Sequence, residues 1–285
     1  FDLVLHGLYF RARNEGTVAH GEFTALRNAG HGRVIPLHVQ FTAGGQPVVG
    51  TSLDYFEFRE LQMARGESMA LLGDCVLGAN AAHELNLSPG DKLKTDRKNL
   101  FDLAGDYPLQ LNVTGVLSAT GTADDEGVFV DVKTAWIIAG HGHGHDESES
   151  NATNSPSAKL VKTHLEITLK NMGTFHFHDD TTALPLTAIL VEPMDTKGAA
   201  MVLGRYQHSS QLQALKPPVV VNEMMGMVMR VRQFLDANYA LVAGAMGMLL
   251  ALIVALSRRL RALEMETLFL LGCSRGTQFA LQAAE

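Results

Sequence analysis

The sequence has little of what disulfide-stabilised, nucleic-acid-binding and secreted proteins need. It holds only two cysteines, Cys75 and Cys273, in 285 residues, too few for a disulfide framework or a Cys-based metal site. Its net charge is −7 and it has no long run of Lys or Arg, which argues against a nucleic-acid partner. It has no initiator methionine and no signal peptide, so we expect Phe1 to be the cut edge of a longer chain.

The sequence also lacks motifs of common catalytic sites. No G-x-x-x-x-G-K-S/T loop is present, so the chain by itself cannot cradle the phosphates of ATP. No H-E-x-x-H is present, and we find no spacing of Ser, His and Asp that suggests a nucleophile. We therefore predict that the chain is not an enzyme. Its clustered histidines make Zn²⁺ the one cofactor to consider.

One apolar run is long enough to cross a membrane. Residues 239–256 contain no charge and no proline, and at ~1.5 Å per residue they span about 27 Å. Tyr239 suits one membrane interface, and Arg258, Arg259 and Arg261 suit a cytoplasmic flank. The alternative is a buried helix in a large soluble core. We predict a span that leaves the preceding residues outside the cytoplasm and the following residues inside.

The residues before this span predict a fold that mixes α-helices and β-strands. Apolar or alternating runs predict strands at residues 34–42, 47–50, 109–117, 127–132, 184–191 and 219–221. Helical spacing and turn signals predict a short helix or turn at residues 52–61 and helices at residues 76–87, 197–207 and 223–237. The last helix is expected to run into the membrane span.

Several phrases of the sequence form a set by their order and spacing. They are residues 48–56 (VVGTSLDYF), 75–82 (CVLGANAA), 87–91 (LSPGD), 113–117 (VTGVL), 120–122 (TGT), 128–130 (VFV) and 259–285. Together they resemble the periplasmic core domain of macrolide-exporter-type ABC permeases, the MacB-like group that includes lipoprotein-release and FtsX-like permeases. The resemblance covers most of the chain except roughly residues 140–183.

The resemblance implies an α+β outer domain in two parts, followed by a transmembrane helix, the second of four in such permeases. The first span would precede Phe1, and the third and fourth would follow Glu285. The implied segments are a βαβ membrane-proximal unit at 1–74 and 184–222, an inserted β-rich subdomain at 75–183 with a His-rich loop at 140–157, a stalk and transmembrane helix at 223–257, and a cytoplasmic coupling segment at 258–285.

The resemblance also implies partners and a place in the cell. The chain would form a homodimer in the bacterial inner membrane, with its large domain in the periplasm. A separate ATP-binding subunit on the cytoplasmic side would hold the ATP. Such permeases transmit the work of ATP hydrolysis to the periplasm rather than pass a substrate between their helices.

The segment after the span is the expected contact for the ATP-binding subunit. Gly272 fits the left-handed position that ends a helix, and Ser274 can cap the next helix. On the residues alone, an ordinary juxtamembrane turn with solvated charges is the favoured interpretation. With the resemblance, we assign the coupling role to Glu264, Glu266, Gly272 and Arg275.

Histidines cluster in the region that the resemblance leaves out. His141, His143 and His145 lie in a Gly-rich polar stretch, and imidazoles there can surround Zn²⁺, Cu²⁺ or Ni²⁺ with little strain. The alternative is a loop whose histidines have no specific role.

Residues 165–169 and 175–180 alternate apolar and polar side chains and predict a hairpin. Matching the apolar faces pairs Leu169 with Phe175. That register would gather five further candidate ligands on one face: His164, Glu166, His176, His178 and Asp180. We predict that these residues and the histidine loop bind Zn²⁺, the alternative being polar side chains on a solvent face.

Two functions follow from these observations. The first is a permease subunit of a mechanotransmission-type ABC transporter, which couples cytoplasmic ATP hydrolysis by a separate subunit to work in the periplasm. The alternative is a membrane-anchored periplasmic metal-binding protein without transport activity.

Overall fold

A computed structural model describes residues 2–11, 16–96, 108–143, 165–177, 180–261, 266–267, 270–277 and 280. The strands are β1 (Val18–Ala19), β2 (Gly32–Ala43), β3 (Gln46–Thr51), β4 (Met63–Gly66), β5 (Asp74–Leu77), β6 (Lys92–Lys94), β7 (Leu109–Leu117), β8 (Val128–Asp131), β9 (Gly142–His143), β10 (Leu165–Glu166), β11 (His176–Phe177), β12 (Pro185–Leu186) and β13 (Ala188–Pro193). The α-helices are α1 (Asp2–Tyr9), α2 (His20–Ala29), α3 (Asp54–Phe58), α4 (Ala79–Leu85), α5 (Val132–Ile138), α6 (Thr196–Tyr206) and α7 (Pro217–Leu260).

Nine of the strands form one mixed sheet. Its main order is β10-β7-β5-β8-β3-β2-β13, and β4 and β6 also pair with β7. The β3–β8, β5–β7 and β7–β10 pairs are parallel, and the other pairs in this sheet are antiparallel. Two small ladders join β1 to β12 and β9 to β11.

The central strands β3, β5 and β8 each contain a run of buried apolar residues, at 48–49, 75–77 and 128–130, because the sheet is covered on both faces. Val128 and Val130 of β8 belong to one core cluster, together with buried residues of α4 and α5. Phe129, between them, points to the opposite cluster, where it meets Tyr55 of α3. A third cluster packs α2 and β12 around Trp136 of α5.

Close packing between β3 and α5 depends on Gly50. A Cβ at this position would lie 2.4 Å from the Cβ of Ala135, far inside van der Waals contact. The absence of a side chain at Gly50 therefore lets α5 approach the middle of the sheet, and any larger residue requires the helix or the strand to move.

The structure confirms the α+β fold class and most of the predicted elements. β7 occupies the predicted residues 109–117, and β2 and β3 surround the predicted turn at Gly44 and Gly45. α7 contains both the predicted helix 223–237 and the predicted span 239–256. Among the described residues, α7 is the helix long and apolar enough to cross a membrane.

Two predicted elements are wrong. Residues 76–77 belong to β5, and the helix predicted from residue 76 begins at Ala79 instead. A short strand buried on both faces has the same apolar run as a buried helix, so periodicity does not separate them. Residues 219–221, predicted as a strand, are helical because α7 begins at Pro217, and proline suits the first turn of a helix.

The chain divides into two compact units, residues 1–217 and residues 218–285. Within the first unit, β2 and β3 from the predicted membrane-proximal part are hydrogen-bonded in the same sheet as β5, β7 and β8 from the predicted insertion. The subdivision of this unit at residues 74 and 183 stays a prediction.

Candidate functional site

A buried carboxylate ties α3 to the loop that precedes β8. Asp124 is 1% exposed, and its Oδ1 accepts a 2.6 Å hydrogen bond from the Tyr55 hydroxyl. Its Oδ2 accepts from Arg59 Nε at 2.9 Å and Nη2 at 2.6 Å, and from the Thr122 hydroxyl at 2.8 Å. Burial, reinforced by Asp124, raises the pKa of Tyr55, so the phenol stays a neutral donor. The charge of Asp124 is thus both paired and hydrogen-bonded, as a buried ion requires.

The next two acidic residues extend this network. Asp125 accepts hydrogen bonds from the backbone N–H groups of Thr120 and Gly121, both at 2.8 Å, and so closes its own loop. Glu126 forms an ion pair at 2.9 Å with Arg11, which follows α1. Residues 124–126 therefore connect α3, the loop before β8 and the end of α1. Sequence reasoning missed this network, although Tyr55 and Thr122 both lie in phrases that carry the family resemblance.

The two histidine-bearing segments meet, but not in the predicted hairpin. β11 pairs antiparallel with β9, which places His143 opposite His176 and Gly142 opposite Phe177. β10 pairs instead with β7, in parallel. The predicted pairing of Leu169 with Phe175 is therefore wrong.

Two local features explain this register. The Asn171 side chain accepts from Thr168 N–H at 2.7 Å and donates to the Glu166 carbonyl at 2.9 Å, which folds residues 166–171 into a tight turn. The Phe177 ring lies over Gly142, where a Cβ would come within 2.9 Å of it. Phe177 also packs edge-on against Trp136, with 6.0 Å between ring centroids. The aromatic contact thus directs β11 to β9.

The structure describes the side chains of four of the eight predicted metal ligands. Glu166 forms an ion pair with Lys92 of β6. Asp180 accepts a hydrogen bond from the backbone N–H of Thr182 at 3.1 Å. Hydrogen bonds with the backbone and side chain of Thr182 lower the pKa of the Asp180 carboxyl group. His176 is half-buried, and its Nδ1 lies 3.0 Å from the carbonyl oxygen of Thr174. His141 is half-buried beside β9.

The remaining predicted ligands are described only in part. The backbone of His143 lies in β9, whereas His145, His164 and His178 lie outside the described residues. Among the side chains that the structure describes, no three His, Cys, Asp or Glu residues are grouped to hold a metal ion. Metal binding stays a prediction, without the hairpin register that first suggested it.

The geometry of the coupling segment agrees with its sequence. Gly272 has φ +93°, the positive value predicted for the residue that ends a helix. The Ser274 hydroxyl accepts from the N–H of Thr277 at 3.2 Å, so Ser274 caps the next helical turn as predicted. Glu266 and Arg275 are exposed, and Glu264 lies outside the described residues.

The same segment reads Gly-Cys-Ser-Arg-Gly from Gly272 to Gly276, which matches the letters G-x-S-x-G of a nucleophile elbow. An elbow places its serine between a strand and a helix. Ser274 instead follows a helical segment and a turn, and its hydroxyl caps the next helical turn. The match therefore gives no support to catalysis.

Comparisons with known proteins agree with the resemblance in the sequence. The family model of the MacB-like periplasmic core domain matches residues 13–192. Among solved structures, the extracellular domain of the noncanonic ABC-type transporter YknZ from Gram-positive bacteria is 11% identical, with a TM-score of 0.42, and the match covers 71% of this chain and 91% of that chain. The periplasmic region of MacB from Actinobacillus actinomycetemcomitans is also 11% identical, with a TM-score of 0.42 and coverage of 76% and 86%. No curated protein matches this chain.

Proposed function

The chain belongs to the family of MacB-like periplasmic core domains, and we propose that it is the permease subunit of an ABC transporter of the mechanotransmission type. Membership of this family supports a transporter permease that is not itself an enzyme and that sits in a membrane with its large domain outside the cytoplasm. In the proposed mechanism, a separate ATP-binding subunit hydrolyses ATP in the cytoplasm, and the permease carries the resulting movement to the periplasm.

The observation that carries this mechanism is the unbroken length of α7. Its 44 residues extend about 66 Å at ~1.5 Å per residue, roughly twice the ~30 Å hydrocarbon core of a bilayer. Its only prolines, Pro217 and Pro218, lie in the first turn, so no proline interrupts it further along. A continuous helix of this kind transmits displacement along its axis.

The cytoplasmic end supplies a surface on which an ATP-binding subunit can act. The positive φ of Gly272 and the cap at Ser274 fix the local turn of the chain at residues 272–277. Glu266 and Arg275 are exposed beside this turn and can form ion pairs with a partner. We assign the coupling contact to these residues and to Glu264.

The outer domain has the rigidity that a force-transmitting body needs. Its nine-stranded sheet is covered on both faces, and the network of Asp124 and Glu126 joins α3 and the end of α1 to the sheet. We further propose that the permease works as a homodimer in the bacterial inner membrane. Family membership gives no support to the alternative of a metal-binding protein without transport activity.

Thiol labelling in intact cells tests this arrangement. Cys75 is fully buried, and burial raises the pKa of its thiol, so Cys273 is the exposed native cysteine. A maleimide that does not cross the inner membrane should label a Lys216→Cys variant and spare Cys273 until the cells are opened. A cross-linker attached to Cys273 in opened cells should then capture an ATP-binding subunit.

A Cys273→Ser variant carrying Lys216→Cys controls for background labelling. Labelling of Cys273 in intact cells would place the coupling segment on the wrong side of the membrane and remove the proposed function.

A further inference from the structure

A small cavity opens in the outer domain beside the turn that leads into β5. Its volume is about 210 Å³, below the ~300–1,000 Å³ of sites that take drug-sized ligands. It lies between this turn and the segment that contains β10 and the turn after it. Most of its lining is apolar and comes from Leu71, Leu72, Ile167, Leu169 and Met172. The cavity therefore suits a small molecule with an apolar body.

Contacts within the chain hold both sides of this cavity in place. Ile167 is 3% exposed and packs on Gly73, where an added Cβ would lie 3.0 Å from the Cβ of Ile167. The Asn171 side chain accepts from the Thr168 N–H and donates to the Glu166 carbonyl, which fixes the turn after β10. A site that is formed before its ligand arrives loses little entropy on binding.

The lining contains a carboxylate that the chain satisfies only in part. Asp74 is 7% exposed, and its Oδ2 accepts from the N–H groups of Ala70 at 3.2 Å and Leu71 at 2.8 Å. Its Oδ1 accepts from no described residue, no described cation pairs with it, and it is not sealed from solvent. A buried carboxylate requires a cation or further donors. The turn supplies donors to Oδ2, and a donor for Oδ1 has to enter from the cavity.

The other polar groups at the cavity favour the same kind of ligand. The Asn112 side chain has no hydrogen bond with a described residue, so its amide oxygen is available as a second acceptor. Glu166 also lines the cavity, and its carboxylate is paired with Lys92. Among the described residues that line the cavity there is no Lys or Arg. This excess of acceptors and negative charge favours a cation that carries N–H groups.

We propose that this cavity binds a small primary amine, with its ammonium group on Asp74 and its apolar body against Ile167 and Met172. An ammonium group is a compact charge with three donors, which suits Oδ1 of Asp74 and the amide oxygen of Asn112 together. The inference concerns the outer domain alone and is independent of the proposed coupling to ATP hydrolysis.

Isothermal titration of the full chain in detergent with phenethylamine, a cation at neutral pH, tests the proposal, with protein-free micelles as the blank. We expect one site per chain with a dissociation constant on the order of 1 mM or tighter, as a ligand with few atoms allows. Phenethyl alcohol has the same apolar body without the charge and should bind at least about tenfold more weakly. A peptide with an N-terminal phenylalanine presents the same groups, and the tighter of the two amines identifies the source of the ligand.

Asp74→Asn should remove the preference for charge, so that the amine and the alcohol bind within about threefold of each other. Asp91→Asn is a matched control, because Asp91 is an exposed aspartate that accepts from the Ser88 N–H at 2.8 Å and does not line the cavity. It should leave both affinities within about twofold. Trp136 fluorescence should show that both variants remain folded.

A third variant keeps the test open if Asp74→Asn does not fold. Leu169→Ala changes a side chain that is 77% exposed and should weaken the amine and the alcohol equally, by about two- to fivefold. The inference fails if the native chain gives no amine heat above the blank, if the alcohol binds as tightly as the amine, or if Leu169→Ala changes neither affinity. It also fails if Glu166→Gln weakens amine binding as much as Asp74→Asn, because the cation then binds at the ion pair with Lys92.

Discussion

The ion pair between Arg59 and Asp124 gives the sharpest prediction about the stability of the outer domain. Arg59→Met keeps the aliphatic stem and removes the guanidinium, which donates at 2.9 and 2.6 Å to a carboxylate that is 1% exposed. Removing one partner of a buried pair typically costs about 3–5 kcal/mol. Tyr55 and Thr122 still donate to Asp124, and the Arg59 side chain is 26% exposed. We therefore expect a loss of about 2–3 kcal/mol in the free energy of unfolding.

Urea unfolding followed by Trp136 fluorescence measures this loss. Trp136 is the single tryptophan of the chain and is buried in the outer domain. Its fluorescence therefore reports on the unfolding of that domain even when the full chain is measured in detergent. Arg33→Met is a matched control because its ion pairs with Glu57 and Glu192, at 3.5 and 3.6 Å, are exposed. Such pairs contribute about 0–1 kcal/mol. If Arg59→Met destabilises the chain no more than Arg33→Met, the buried network does not hold α3 to the sheet.

Two further predictions concern the same unit. Gly50→Ala should destabilise it by about 1–3 kcal/mol in the same unfolding assay, because the new Cβ meets Ala135 at 2.4 Å. Gly173→Ala, whose added Cβ has no neighbour within 4 Å in the described part of the chain, should stay within about 0.5 kcal/mol, and equal effects of the two would contradict the packing argument. Burial, with a smaller effect from Lys133, lowers the pKa of His20 below its ordinary value of 6.5. The unfolded chain therefore binds more protons than the folded chain, and the free energy of unfolding should fall as the pH drops below about 6.5. His20→Gln should reduce this fall in a pH series, and an unchanged profile would show that another group causes it.

Local patterns in the sequence were sufficient to predict the elements that are stabilised by local contacts or that are fully buried. β7 alternates apolar and polar residues before an apolar end, β8 begins as an apolar run, and α7 combines an uncharged stretch with an arginine flank, so periodicity and composition were sufficient. The turn at Gly272 followed from glycine and serine chemistry alone.

Contacts between distant residues were not predictable in the same way. Arg59 and Asp124 are 65 residues apart, and neither is distinguished in the sequence from a solvated charge. The partner of β11 was mistaken because alternation identifies a strand but not the strand with which it pairs. The contacts of Phe177 with Gly142 and Trp136 determine this pairing, and these residues meet only in the folded chain.

The rate of ATP hydrolysis by the purified complex of the permease with its proposed ATP-binding subunit shows whether the turn at Gly272 couples the two. At φ +93°, a β-branched residue is strained, whereas Asn tolerates positive φ. Gly276→Ala is a neighbouring control, since among the described residues its added Cβ would meet the Ser274 hydroxyl at an ordinary contact distance of 3.8 Å. We predict that Gly272→Val abolishes the dependence of hydrolysis on the permease, that Gly272→Asn and Gly276→Ala preserve it, and that Trp136 unfolding is unchanged in all three. Native coupling in Gly272→Val would contradict the proposed role of this turn.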